Sequence, residues 1–128
     1  MACNSRAKGK RGELELAKAL KENFGWASAR RSQQFCGDAG DSDLIAEEAP
    51  TLFIECKLVQ NLNLHKAMDL AVEQSNGTTP AVFHRKDRTG WLVTVRIEDV
   101  REFVSLMQKA LRSSPPVPSD PELPRGTT

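Results

Sequence analysis

The sequence predicts an α/β fold in which a mixed central sheet is flanked by helices. Three observations predict it. Apolar residues recur at helical spacing over Lys10–Phe24, Leu64–Ser75 and Val100–Leu111. Short apolar runs with strand alternation lie between them, above all Leu52–Val59. Glycine, proline, aspartate and asparagine mark the joins. At 128 residues, with 39% hydrophobic and 27% charged side chains, the chain is one domain's worth of soluble globular protein.

The elements follow in order. Glu13, Leu16, Ala17, Leu20 and Phe24 share one face of a first helix, which Gly25 ends. Trp26–Arg31 reads as a first strand, and Gly37, Asp38, Gly40 and Asp41 form a turn-rich approach to a second at Ser42–Ala46. Glu47–Pro50 turns the chain into a third strand, Leu52–Val59. Leu64, Met68, Ala71, Val72 and Ser75 mark a second helix that closes near Asn76-Gly77. Pro80–Arg85 and Trp91–Val95 are strands on either side of the polar turn Lys86–Gly90. Val100, Phe103, Val104, Met107 and Leu111 give a last amphipathic helix, so the order is αβββαββα. The domain spans 1–112, with 1–8 a loose basic arm. Ser113–Thr128 holds five of the seven prolines and almost no large apolar side chains, and reads as a disordered tail.

The net charge of +1 conceals an uneven distribution. Eight lysines and arginines fall in residues 1–31 against three glutamates, leaving the remainder net acidic. A basic end beside an acidic remainder suits a polyanion-binding surface around a cation-binding pocket, although a solvated lysine-rich helix face gives the same count. Cys3, Cys36 and Cys56 are odd in number and lack zinc-ligand spacing, which suggests a reducing compartment. The start has no apolar stretch of the secretory kind and no run approaches spanning length, so a cytoplasmic protein without membrane contact is expected.

The chemistry gathers on four residues. In Leu52–Leu58, strand alternation puts Leu52, Ile54, Cys56 and Leu58 on one side, while Glu55 and Lys57 project together from the other. An ion pair on an edge strand would explain that pair alone. Asp43, however, opens the preceding apolar strand, and a short hairpin can bring it beside Glu55. Two close carboxylates repel unless a cation lies between them, and hard oxygen donors favour Mg²⁺ or Mn²⁺. Asp41 beside Gly40 is better suited to making a turn. Glu13 shares the apolar stripe of the first helix, whereas Glu15, about 200° away, faces solvent with Lys18 and Glu22. Glu13, Asp43, Glu55 and Lys57 are therefore the candidate catalytic set. Carboxylates and a lysine in this combination suit hydrolysis of a phosphodiester.

Asp43 followed by a turn and Glu55-Cys56-Lys57 resembles the PD-(D/E)xK nuclease motif, with Ser42 where that name has proline. More narrowly, Gly9-Lys10-Arg11-Gly12-Glu13, Arg30-Arg31-Ser32, Asp43-Leu44-Ile45-Ala46 and Ile54-Glu55-Cys56-Lys57 resemble the archaeal-type Holliday junction resolvases and their phage relatives over residues 8–95. The resemblance implies a restriction-endonuclease-like αβββαβ core and metal ligands Glu13, Asp43, Glu55 and the Cys56 carbonyl. It also implies a catalytic Lys57 and one or two Mg²⁺ or Mn²⁺ ions per site. A homodimer resolving four-way DNA junctions would follow, in the host cytoplasm if phage or prophage encoded. Lys8, Lys10, Arg11, Arg30, Arg31, Ser32 and Gln33 are candidate DNA contacts, each weighed against a solvated surface. Gln74 is a secondary candidate, since a glutamine on this helix often reaches the active site in that superfamily. A restriction- or repair-type nuclease, or a nucleic-acid-binding module without turnover, are the competing expectations.

Overall fold

The computed structural model describes residues 3–32 and 42–113. The elements run α1 (Cys3–Phe24), β1 (Arg30–Arg31), β2 (Leu44–Ile45), β3 (Leu52–Leu58), α2 (Leu64–Ser75), β4 (Thr79–Arg85), β5 (Leu92–Thr94) and α3 (Val100–Ser113), the last preceded by a single 3₁₀ turn at Ile97–Asp99. The class is mixed α/β, and the order of helices and strands is the one the periodicities give. The chain ends fall where local chemistry puts them. Gly25 takes φ +73°, and its N–H donates to Lys21 O at 3.0 Å, closing α1 with a left-handed glycine. Asn63 caps α2 by accepting from Lys66 N at 3.1 Å, and Asn76 ends it at φ 52°.

The five strands form one sheet in the order β1-β2-β3-β4-β5. Only β3 and β4 are parallel, joined by the crossover through α2; the other pairs are antiparallel. Alternation along β3 divides the core in two. Leu52 and Ile54, with Ala81 and Phe83 of β4, pack under Leu16, Ala17 and Leu20 of α1 and Leu106 and Ala110 of α3. Phe53 and Val82 pack on the opposite face against Ala67, Met68 and Ala71 of α2. Glu55 and Lys57 therefore lie on the α2 side of the sheet, while Cys56 lies on the α1 side. Among the described residues no helix is long and apolar enough to cross a membrane.

Several boundaries differ from the sequence reading. α1 starts at Cys3, so residues 3–8, expected as a loose arm, continue the helix; Arg6, Ala7 and Lys8 are good helix formers. The first strand shrinks from Trp26–Arg31 to two residues. Trp26 is fully buried, and Ser28 turns to donate its hydroxyl to Glu48, taking this stretch off the ladder. Of the tail expected over 113–128, Ser113 instead ends α3, while residues 114–128, like Gln33, lie outside the described residues.

Candidate active site

The site forms where the β2–β3 ladder ends. Leu44 pairs with Ile54, and β3 then continues past β2. At that point the Cys56 N–H would have no strand partner, and a backbone donor left unpaired there is costly. The Asp43 side chain fills the gap: its Oδ2 accepts from Cys56 N at 2.8 Å. The Asp43 backbone is held on both sides. Its N–H donates to Ile54 O at 3.0 Å, and its carbonyl accepts from Ser32 N at 2.9 Å. The aspartate thus joins three strands and has little room to move.

Glu55 and Lys57 follow from β3 alternation, with Lys57 Nζ 3.5 Å from Glu55 Oε2. The Glu55 side chain is only 12% exposed. Burial, followed by the negative charge of Asp43, pushes its carboxyl up to about 7, against the pull of Lys57. Asp43 is also raised, first by burial, although the Cys56 N–H bond opposes the shift. Burial and the same carboxylates push the Cys56 thiol far above its ordinary range, so it stays a protonated packing group.

Glu13 arrives from α1, and the reason it reaches the sheet is its neighbour. Gly12 is buried, and a Cβ there would lie 3.0 Å from Leu58 Cβ and 3.7 Å from Cys56 Sγ. A glycine inside a helix costs about 1 kcal/mol relative to alanine. Here it lets α1 close directly onto β3, which brings the half-buried Glu13 to the open end of the β2–β3 ladder. Arg31 of β1 meets it there, Nε to Oε1 at 2.7 Å. Arg31, expected as a phosphate contact, is thus part of the carboxylate cluster itself.

Three carboxylates and two cations share this corner, so with all of them ionised it carries a net negative charge. A phosphodiester would be repelled. A divalent cation would reverse the sign and relieve the carboxylate repulsion that, after burial, raises Glu55. The donors, three carboxylates with the Cys56 carbonyl beside them, are of the hard oxygen kind that Mg²⁺ and Mn²⁺ prefer. Among the described residues no three acidic, histidine or cysteine side chains are gathered on one point. Glu13 is turned to Arg31, Asp43 to the Cys56 N–H and Glu55 to Lys57. No protein-family model matches the chain, and no curated protein or solved structure is significantly similar to it.

Of the remaining candidates Ser32 adjoins this cluster and the others lie outside it. Arg30 is half exposed, donating to Ser28 O at 2.9 Å and paired with Glu47. Ser32 contributes its backbone N–H to Asp43. Arg11 is exposed, near Glu15 and Asp87, and Lys10 is exposed on α1. Lys8 lies in α1, its side chain outside the described residues. Gln74 is half-buried near the C-terminal end of α2, and among the described residues no hydrogen bond joins it to the site. A parallel crossover brings that end of α2 back toward the start of β4, away from Lys57. Glu15, expected to face solvent, pairs instead with Arg85, whose side chain is only 16% exposed and whose guanidinium lies over Trp91 at 5.4 Å. Helical phase cannot find a partner seventy residues away.

Proposed function

We propose that this protein is a divalent-metal-dependent DNA endonuclease of restriction-endonuclease-like architecture that resolves four-way junctions. The observation that carries the reading is the corner where the Asp43 carboxylate takes the Cys56 amide, just past the β2–β3 ladder and beside the Glu55–Lys57 pair, with Glu13 brought in by Gly12. The junction as substrate is supported by the resemblance of Gly9–Glu13, Arg30–Ser32, Asp43–Ala46 and Ile54–Lys57 to the resolvases.

Glu13, Asp43, Glu55 and the Cys56 carbonyl would hold the ion, Mg²⁺ or Mn²⁺. When bound, it supplies Lewis-acid stabilisation of phosphate charge and a more acidic water. The protein's own residues do the rest. Asp43, fixed through its backbone on two strands, sets the position of the donor set. Lys57, drawn out along β3 by Glu55, offers N–H donors to the attacking water and to the phosphoryl oxygens as negative charge builds. Arg31, released from Glu13, is a cation placed to receive a phosphate oxygen. Water attacks phosphorus in line and gives up a proton to solvent, the bond to the sugar 3′ oxygen breaks, and that oxygen takes a proton from solvent as it leaves. Cutting two opposed strands of a junction calls for two such sites, hence a homodimer, acting in the cytoplasm.

End-labelled four-way junction and matched duplex incubated with Mg²⁺ test the proposal. Junction cutting that is abolished by Asp43→Asn, with junction binding retained, is the expected result. Cutting of duplex in preference to junction would turn the reading to a restriction- or repair-type nuclease. Equal cutting by Asp43→Asn would refute the site.

A further inference from the structure

Beside the candidate active site runs a groove that the chemistry so far leaves without a role. It has a volume of about 480 Å³ and is lined by Val59, Gln60, Leu62 and Leu64 from the β3–α2 side, and by His84, Lys86 and Leu92 from β4, its turn and β5. A cavity of this size accommodates a nucleoside-sized ligand. Its floor is tied to the site by register. Lys57 pairs with His84, and His84 with Leu92, so the three side chains form one cross-strand row on the α2 face of the sheet. Two strand spacings put Leu92 about 10 Å from Lys57.

The lining mixes apolar side chains, Val59, Leu62, Leu64 and Leu92, with the polar Gln60 and His84, and exposed Lys86 gives it a rim cation. Leu92 is 62% exposed, a large hydrophobic side chain presented to the opening. His84 Nε2 is engaged with Thr94 Oγ1 at 2.9 Å, which leaves the other ring nitrogen uncommitted by that bond. Gln60 Oε1 accepts from Asp87 N at 2.7 Å, fixing its amide so that the NH₂ group remains to donate. Lys86 has no ion pair among the described residues, unlike neighbouring Arg85 and Asp87. Apolar walls with a few fixed donors and acceptors suit a planar, hydrogen-bonding heterocycle, and the rim cation suits the anionic chain that carries it. A peptide side chain would satisfy the walls but not explain the continuity with a phosphate-handling site.

We propose that this groove receives the nucleobase next to the scissile phosphate, unstacked from its neighbours, and so selects branched or single-stranded DNA over continuous duplex. The inference rests on the nuclease reading and extends it to the substrate. Continuous duplex keeps its bases stacked and must be deformed to fill the groove, whereas a branch point has bases that unstack at lower cost.

The test couples a protein change to a DNA change. The cut position is first mapped on a labelled junction in Mg²⁺, and binding is then measured in Ca²⁺ on that junction with and without the adjacent base. Wild-type protein is expected to lose about tenfold in affinity on the abasic junction, the scale of one stacked base. In Leu92→Ala, a mild change at an exposed site, the intact junction should already bind about tenfold more weakly, and removing the base should cost little more. Additive losses, or a full abasic penalty persisting in Leu92→Ala, would overturn the groove assignment while leaving the nuclease reading intact. A change in oligomeric mass in Leu92→Ala, seen by light scattering, would also overturn it, by assigning the groove to contact between copies. If wild-type protein cuts no DNA at all, the nuclease reading fails first, and the inference falls with it.

Discussion

Replacing Glu55 with glutamine should stabilise the metal-free protein at alkaline pH. In the folded chain burial and Asp43 raise the Glu55 carboxyl from its ordinary 4.5 to about 7. The folded state therefore holds a proton that the unfolded chain gives up between those values. The Glu55 contribution is fully favourable below about 4.5 and weakens as the pH rises. Above about 7 the side chain imposes a constant penalty. A shift of this size corresponds to about 3 kcal/mol. Glutamine keeps the shape and removes the charge. Lys57 loses its partner, but that side chain is a third exposed and can turn to water, so the loss is small. The expected net gain is about 2–3 kcal/mol at pH 8, or roughly 10 °C in melting temperature, and close to zero at pH 4.5. Melting both proteins by circular dichroism in a chelating buffer at the two pH values measures it. A Glu55→Gln protein less stable than wild type at pH 8, or a gain of the same size at both pH values, would refute the reasoning. The stabilised variant should also be inactive, since the destabilising charge is the one the site uses.

Two further outcomes follow from packing. Gly12→Ala gains about 1 kcal/mol of helix propensity but must push Leu58 Cβ aside from 3.0 Å, and crowding of this kind costs about 1–3 kcal/mol. Urea denaturation should show a net loss of about 1 kcal/mol, with a larger fractional loss of cleavage because Glu13 moves with the helix; a more stable, fully active variant would contradict the close approach. The Cys56 thiol, kept protonated by burial, should resist alkylation at pH 8 in the folded protein and react once denaturant is added. Mass spectrometry of the Cys56 peptide distinguishes this from rapid labelling, which would contradict the packing.

Periodicity carried much of the architecture because it reports which face of an element is buried. The α1 stripe of Leu16, Ala17 and Leu20, the alternation along β3 and the breaks at Gly25 and Asn76 are all local properties, and they stand in the structure where the sequence reads them. The phase of Glu13 and the facing of Glu55 and Lys57 were legible for the same reason. What was not legible depends on residues far apart in the chain. Arg31 reads as a surface cation until β1 is paired beyond β2 and brought to Glu13. Glu15 reads as a solvent-facing acid until β4 delivers Arg85. Gly12 left a trace in the sequence, as a glycine inside a helical run, and such an expense is usually met by a close approach of backbones. The shortened β1 had no such trace, because the Ser28–Glu48 bond that diverts it is itself a tertiary contact.

The proposed chemistry requires Glu13, Asp43 and Glu55 to act together in binding a divalent cation. Titration of the protein with Mn²⁺, followed by loss of the free-ion signal in electron paramagnetic resonance, measures this without DNA. Saturable binding of one or two ions per chain by the wild-type protein, lost in Asp43→Asn while its circular dichroism is unchanged, is the predicted result. No saturable binding, or binding that Asp43→Asn leaves intact, would contradict it.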